Sequence, residues 1–159
     1  MALPGQSFAR VLLFDRLVDR TPGQQYENPP LRMMGAADLQ NSIGNELRRL
    51  FNTRSTTHGD GPLSMIDYGL PDWSTLHASN SEERKEIERG MQKAILAFEP
   101  RLRQPQVLVD PVAQHQQTLS IRLNGKLTSD DESWPVAFGI RIGTFGAEIT
   151  LQDGIPHDQ

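Results

Sequence analysis

The chain has 159 residues, of which 36% are hydrophobic, and it carries a formal net charge of −4 at pH 7 with no cysteine. This length suits one folded domain, and the acidic balance argues against a nucleic-acid-binding protein, whose binding surface is basic. The lack of cysteine excludes disulfides, thiolate metal sites and thiol nucleophiles. The opening residues lack a signal-peptide pattern and no apolar run has membrane-spanning length, so the sequence predicts a cytoplasmic protein.

The N-terminal region is predicted to be an arm on an extended linker. In residues 8–19, apolar and charged side chains are spaced as in about three turns of amphipathic helix. Residues 20–35 are rich in proline and glycine, which favours an extended chain. Such an arm either folds back on its own domain or docks on another protein. We therefore divide the chain into an arm with its linker (1–35), a folded domain (36–153) and a C-terminal tail (154–159).

The first helix of the domain is predicted to begin at Asp38, a good N-cap residue. Arg48 and Arg49 are expected on its solvated face. Its apolar stripe, which should face the core, consists of Leu39, Ile43, Leu47, Leu50 and Phe51. Residues 52–62 are then expected to form a loop, and residues 63–73 an ordered but irregular segment.

The second helix has stronger boundary signals. Ser79 and Asn80 are each followed three residues later by glutamate, which is the capping-box pattern. The helix should end near Phe98 or Glu99, because Pro100 disfavours helical geometry in the residue before it. Its apolar stripe consists of Ile87, Met91, Ala94, Ile95 and Phe98.

Beyond Pro105 the apolar residues alternate with a period of two, which predicts strands. Asn124-Gly125 could form a hairpin turn, but the alternation continues through Leu127 and favours one long strand with Gly125 inside it. The turns are then expected at 129–133 and 143–146. The predicted strands cover residues 106–110, 119–127, 136–142 and 147–151. Helices followed by strands predict an α+β fold, with two main helices packed on a small, mostly antiparallel sheet and an N-terminal helical arm.

Common catalytic and metal-binding motifs are missing. The sequence contains no glycine-rich phosphate loop, no His-Glu-x-x-His and no Gly-x-Ser-x-Gly. The histidines have no ligand-like spacing and are expected to be exposed; they are His58, His77, His115 and His157. We therefore predict neither a metal nor a cofactor.

A pair of carboxylates, as in a glycosidase, is the remaining enzymatic option. Glu99 is the best candidate acid, but Arg101 lies two residues away across a proline. A neighbouring guanidinium favours the charged carboxylate, which is the opposite of what a general acid needs. Glu99 and Arg101 are therefore predicted to pair, either structurally or for presentation to a partner. A second carboxylate would have to come from Asp110, Asp130, Asp131 or Glu132, of which the last three are expected in a solvated turn.

The run Phe98-Glu99-Pro100-Arg101, followed by period-two strands, resembles the contractile-tail baseplate wedge family, which is often labelled lysozyme-like. Within that family, three further segments look like the type VI secretion baseplate subunits called TssE. These segments are residues 13–17 (Leu-Phe-Asp-Arg-Leu), residues 64–72 (Ser-Met-Ile-Asp-Tyr-Gly-Leu-Pro-Asp) and the sheet from 119 to 151.

The resemblance implies a structural scaffold rather than an enzyme. Such subunits join the wedge proteins TssF and TssG around the central spike and present a sheet on which sheath subunits begin to polymerise. The partner-binding residues that we expect on this basis are Glu99, Pro100, Arg101, Phe14, Asp15, Arg16 and Leu17. Two alternatives remain at the level of sequence: a regulatory adaptor that uses the same fold to block another protein, and a peptidoglycan glycosidase.

Overall fold

The computed structural model describes residues 9–10, 33–55, 62–72, 78–111, 118–129 and 132–152. Within these residues the chain forms the predicted α+β fold. In chain order the elements are β1 (Ala9–Arg10), β2 (Met33–Met34), α1 (Ala36–Asn52), a short 3-10 helix (Met65–Asp67), α2 (Ser81–Phe98), β3 (Leu102–Val109), β4 (Leu119–Ser129), β5 (Glu132–Gly143) and β6 (Gly146–Gln152). Neither of the described helices combines the length and the apolar character needed to cross a membrane.

The C-terminal strands form a four-stranded antiparallel sheet in the order β3-β4-β5-β6. β4 runs without interruption through Gly125, which pairs with Val136, so the long-strand prediction is confirmed and no hairpin forms at Asn124-Gly125. The predicted tight hairpin between β5 and β6 is also present, with Gly143 paired to Gly146. Sequential antiparallel pairing leaves β3 and β6 as the two outer strands.

The core lies between the two helices and one face of the sheet. All five stripe residues of α1 are buried, as are Ile87, Met91, Ala94 and Ile95 of α2. α1 packs on β6, and α2 packs on β3. The strands contribute alternate apolar side chains, and each large one that is buried stabilises the fold by about 1.5–3 kcal/mol. The innermost of these strand residues are Leu102, Ile121, Leu123, Leu127, Phe138 and Ile140.

The two helices differ in how well their starts were predicted. α2 begins as expected, because the Asn80 side chain accepts a hydrogen bond of 3.0 Å from the amide of Glu82. α1 begins earlier than expected: its N-cap is Gly35, which has no side chain to bond, and Asp38 lies inside the first turn. Asp38 still suits this position, because a negative charge near a helix N-terminus is favourable.

The predicted N-terminal helix needs a correction at residues 9–10, the part of it that the structure describes. Ala9 and Arg10 form a two-residue strand that pairs antiparallel with Met34 and Met33, so the predicted helix does not begin at residue 8. The pairing brings this part of the arm back to the start of α1. Residues 11–32, which include most of the predicted helix and linker, lie outside the described residues.

The strands are longer than alternation alone predicted. β3 begins at Leu102 rather than Gln106, and its first part is interrupted by a bulge between Arg103 and Gln106. Within the bulge, Gln104 has a φ of 50°, in the left-handed region. The connection between β4 and β5 is shorter than the predicted 129–133 turn, because Ser129 already pairs with Glu132.

Gly125 provides the space for the entry of the chain into β3. A Cβ atom on Gly125 would lie 2.7 Å from Leu102 Cδ1 and 3.2 Å from the carbonyl oxygen of Arg103. Leu102 is itself 1% exposed, so it has little room to move aside.

We expect Gly125→Ala to lower the free energy of unfolding by about 1–3 kcal/mol, because the added methyl group overpacks the site. Gly44→Ala is the matched control: its Cβ would meet only Phe138 Cε1 at 3.7 Å, an ordinary contact in the middle of α1. That substitution should raise stability by about 0.5–1 kcal/mol through helix propensity. Urea denaturation of both variants measures the two effects, and equal shifts would contradict the packing argument.

Candidate functional site

The sequence Glu99-Pro100-Arg101 forms the turn that leads from α2 into β3. The amide of Glu99 donates to the carbonyl oxygen of Ile95 and closes the helix, and the amide of Leu102 donates to the carbonyl oxygen of Glu99 at 3.2 Å. Proline at the second position of such a four-residue turn restricts φ to the required value. The charged pair is therefore held on a short and rigid backbone segment.

The two charges of this turn form an ion pair. Arg101 Nε donates to Glu99 Oε1 at 2.8 Å, and Arg101 Nη2 donates to Glu99 Oε2 at 2.7 Å. The backbone amide of Arg101 also donates to Glu99 Oε1 at 3.2 Å. Glu99 is 1% exposed, so its carboxylate forms these hydrogen bonds inside the protein, away from solvent. Two parallel N–H···O bonds of this kind are strong and strictly oriented.

The ion pair also connects the two helices. Arg101 Nη1 donates to the hydroxyl oxygen of Ser42 at 2.9 Å, and Ser42 is a buried residue of α1. Four residues further along α1, Glu46 accepts a hydrogen bond from the hydroxyl of Tyr68 at 2.7 Å. We call Ser42, Glu99, Pro100 and Arg101 the Glu-Pro-Arg corner.

Tyr68 packs beside this corner. Its ring meets that of Phe98 edge to face, with the centroids 5.2 Å apart. Burial, and then the hydrogen bond to Glu46, raise the pKa of the Tyr68 hydroxyl above its usual value, because both disfavour the phenolate. Glu46 is also paired with Arg49 at 3.0 Å. Tyr68 thereby fixes the 62–72 segment against the helices.

The structure brings together part of the predicted site. Glu99 and Arg101 pair as expected, and Pro100 is exposed between them. The Glu99 carboxylate faces inward, so the surface of the corner consists of Pro100 and the outer part of Arg101, whose side chain is 15% exposed. Phe14, Asp15, Arg16 and Leu17 lie outside the described residues, as do the four histidines.

The Glu99 carboxylate is fully engaged by hydrogen bonds at the corner. Both of its oxygens accept hydrogen bonds from the Arg101 guanidinium. Asp110, another carboxylate considered for catalysis, is paired with Arg122 at 3.0 Å on the surface. Among the described residues, no cluster of three or more acidic or histidine side chains could hold a metal ion.

Sequence reasoning missed a second set of polar contacts, between helix side chains and the outer strands. Asn52 and Arg48 of α1 reach the backbone of β6, while Glu88 and Gln92 of α2 reach the backbone of β3. In each pair the two residues are four apart and so share a helix face. In the sequence of each helix, these contacts are indicated only by polar side chains that repeat every four residues beside the apolar stripe. This repeat does not show which strand the side chains contact.

The hairpin between β5 and β6 carries another feature that the sequence did not reveal. Phe145 at its tip is fully exposed, whereas large apolar side chains of this fold are mostly buried. Gly146, the next residue, has a φ of 116°, which favours glycine, and a Cβ atom at this position would collide with the Asn52 side chain. The hairpin is thus fixed at its base by α1 and presents an aromatic ring at its tip.

Comparison with known proteins gives two findings. The family model described as baseplate wedge protein gp25 matches residues 37–132. This range includes all of α1 except its first residue, and the whole of α2, the Glu-Pro-Arg corner and the strands β3 and β4. In addition, the chain is 29% identical over 98 residues to the anti-adapter protein IraD of Salmonella choleraesuis (strain SC-B67), an alignment that covers 62% of this chain and 75% of that protein.

Removal of the Arg101 guanidinium should strongly lower the stability of the protein, because it leaves the buried Glu99 carboxylate without a counter-charge. We expect Arg101→Ala to lower the free energy of unfolding by about 3–5 kcal/mol. Arg122→Ala is the control, since its ion pair with Asp110 is exposed and should contribute about 0–1 kcal/mol. Urea unfolding of both variants tests this prediction. A similar small loss in both would show that the corner is not a structural anchor.

The raised pKa of Tyr68 predicts a loss of stability at alkaline pH. The folded state holds the phenolic proton more tightly than the unfolded state, whose tyrosine pKa is about 10. The contribution is therefore complete below about pH 10 and is lost as the pH rises further. Tyr68→Phe should remove this contribution, so that stability declines less steeply above about pH 10 than in the wild type. Parallel decline of both proteins in thermal melts would contradict the assignment.

Proposed function

Because the chain belongs to the baseplate wedge protein gp25 family, we propose that it is a structural subunit of a type VI secretion baseplate that works in the cytoplasm. In this role it joins the wedge proteins TssF and TssG and provides the surface on which sheath subunits start to polymerise. The family match supports the baseplate role, and the resemblance of residues 13–17 and 64–72 to TssE supports the secretion system.

The observation that carries the proposal is the internal pairing of Glu99 with Arg101. A glycosidase acid must be able to give up a proton near the substrate, with a second carboxylate about 5–9.5 Å away. Glu99 is instead buried and bonded on both oxygens. A rigid connection between α2, α1 and the sheet is what a subunit needs in order to keep neighbouring proteins at fixed positions.

The partner-binding residues divide into two contacts under this proposal. At the corner, Pro100 and the outer part of Arg101 meet a neighbouring wedge subunit, while Glu99 acts by positioning Arg101. The arm, with Phe14, Asp15, Arg16 and Leu17, provides the second contact. Two linked contacts increase the overall affinity because the second one forms at a high effective concentration.

A regulatory adaptor is the second candidate, and the similarity to the anti-adapter protein IraD favours it. An adaptor of this fold would bind one regulatory protein, such as a response regulator or a protease adaptor, and block its other contacts. It would require neither wedge proteins nor sheath subunits.

We expect the purified full chain to recover TssF, TssG and sheath subunits in a pull-down from purified components. Deletion of residues 1–20 should reduce recovery of the wedge proteins by at least about tenfold through loss of avidity. The deleted protein should melt cooperatively, because among the residues that the structure describes β1 pairs only with β2 and the core begins at Leu39. Lys85→Ala is the control, since its pair with Glu82 is exposed on the surface of α2.

Other outcomes separate the alternatives. Capture of a response regulator or protease adaptor, with no wedge or sheath protein bound, would replace the baseplate proposal by the adaptor. Release of sugar fragments from peptidoglycan by the purified chain alone would contradict a purely structural role.

A further inference from the structure

The face of the sheet that is turned away from the helices is lined mainly by polar side chains. Alternate residues of each strand lie on this outer face, and the pairing register arranges them in rows across the strands. The row nearest the Glu-Pro-Arg corner contains Arg103, Lys126 and Pro135, all of which are exposed. Arg122 and Arg141 lie on the same face, further from the corner.

Two cations meet in the row nearest the corner. Arg103 of β3 and Lys126 of β4 are directly opposite each other in the antiparallel register. The Cβ atoms of residues at such positions are about 4.5–5.5 Å apart, and like charges there are destabilising. We call these two residues the cation pair. The isolated subunit thus holds two positive charges side by side at a cost in stability.

No anion among the described residues compensates the cation pair. Neither side chain forms a hydrogen bond or an ion pair with another described residue. Elsewhere on the outer face the cations do face acids, because Arg122 pairs with Asp110 at 3.0 Å and Arg141 lies opposite Glu148. The side chains of β3, β4 and β5 that adjoin the cation pair on this face are uncharged; they are Gln106, Asn124, Thr128, Ser133, Pro135 and Ala137.

The cation pair lies beside the Glu-Pro-Arg corner. Leu102, the residue that follows the corner, pairs with Leu127, and the next pair along the strands is Arg103 with Lys126. From Pro100 to Arg103 the chain spans at most about 10 Å. The corner is fixed by its buried ion pair, so the cations extend from a backbone that is held in place. A protein that meets the corner therefore has the cation pair within reach.

We propose that the cation pair binds carboxylate side chains of the wedge protein that meets the Glu-Pro-Arg corner. This inference rests on the proposed function and specifies the chemistry of the partner surface, which is an acidic segment whose carboxylates reach both cations. Arg103 can hold a carboxylate through two parallel N–H···O bonds, while Lys126 acts as a point charge. Binding also removes the repulsion between the two cations, so the complex gains stability that the isolated subunit lacks.

The charge of the whole chain favours carboxylates over a polyanion such as nucleic acid. The net charge is −4, whereas a nucleic-acid interface needs a basic stripe that neutralises many phosphates. The other acidic groups of the chain repel a long polyanion. Two cations at one end of an acidic chain therefore suit a short acidic segment of a protein.

The acidic residues 130–132 of this chain are the competing occupant. They follow Lys126 by four to six positions, and four residues of a strand span about 13 Å. If they paired with Arg103 and Lys126, the cation pair would stabilise the chain on its own. A docking site for a partner instead leaves the pair destabilising until the partner binds. The sign of the effect on stability separates the two occupants.

Thermal melting of the full chain alone measures this sign. Lys126→Gln should raise the melting midpoint by about 1–3 °C, because it removes the repulsion with Arg103. Arg141→Gln is the matched control, since it removes a cation of the same face that lies opposite Glu148 and should not raise the midpoint. An unchanged midpoint in Lys126→Gln would show that the two cations do not repel each other, and a lower one would assign them to the acidic turn. Either result overturns the proposal.

Binding of purified TssF and TssG by the full chain tests the recognition. The double variant Arg103→Gln/Lys126→Gln should bind at least about tenfold more weakly than the wild type, and its binding should depend less on salt. The control Lys85→Gln/Arg141→Gln has the same net charge but lacks two cations that already face carboxylates. It should bind within about twofold of the wild type, because exposed ion pairs contribute little.

The outcomes distinguish this inference from the proposed function. If the wild type binds the wedge proteins and the cation-pair variant binds them as well as its control does, the assignment of the cation pair is wrong while the baseplate role stands. A wild type that binds neither wedge protein contradicts the proposed function, and this inference with it. Capture of a double-stranded DNA fragment by the wild type, lost in the cation-pair variant, would assign the pair to a polyanion and overturn the carboxylate assignment.

Discussion

The arrangement of this fold depends on one buried ion pair. Glu99 and Arg101 are separated by a single proline, and their side chains are bonded at 2.7 and 2.8 Å in a position that excludes most solvent. Removing two charges from water is costly, and it is compensated only when the remaining polar groups are also bonded. Ser42 accepts the third bond from the guanidinium and so supplies part of that compensation from the other helix. The ion pair therefore fixes α2 relative to α1 while it sets the direction in which the chain enters the sheet.

The geometry of that entry explains several features of the sheet. The chain leaves the turn at Leu102, which packs over Gly125 of β4, and then bulges at Gln104 before regular pairing begins at Gln106. The bulge places Pro105 with its carbonyl oxygen toward Gln92 of α2. The irregular start of β3 thus comes from the turn. At the opposite edge, β6 follows a tight hairpin and stays regular.

The sequence was most informative where the structure is periodic. The stripe from Leu39 to Phe51, the alternation from Leu119 to Leu127 and the Asn80 cap are local patterns, and each was found where expected. The start of α1 was misplaced because Gly35 caps it through the backbone alone, without a characteristic side chain. The first part of β3 was missed because proline and a positive φ are unusual in strands. The pairing of Glu99 with Arg101 was predictable because the two residues are close in sequence, whereas the bonds of Arg101 to Ser42 and of Asn52 to Ala147 join distant segments and leave no local pattern.

The two sets of polar contacts, at the corner and along the edge of β6, differ in physical character. The corner combines charge, burial and a rigid turn, so breaking it leaves a charge without a partner inside the protein. The helix contacts to β6 are neutral or partly exposed, and water or another peptide can replace each of them at little cost. The contacts of α1 with the edge of β6 can therefore open without loss of the core, whereas the buried ion pair cannot open without leaving a charge unpaired inside the protein.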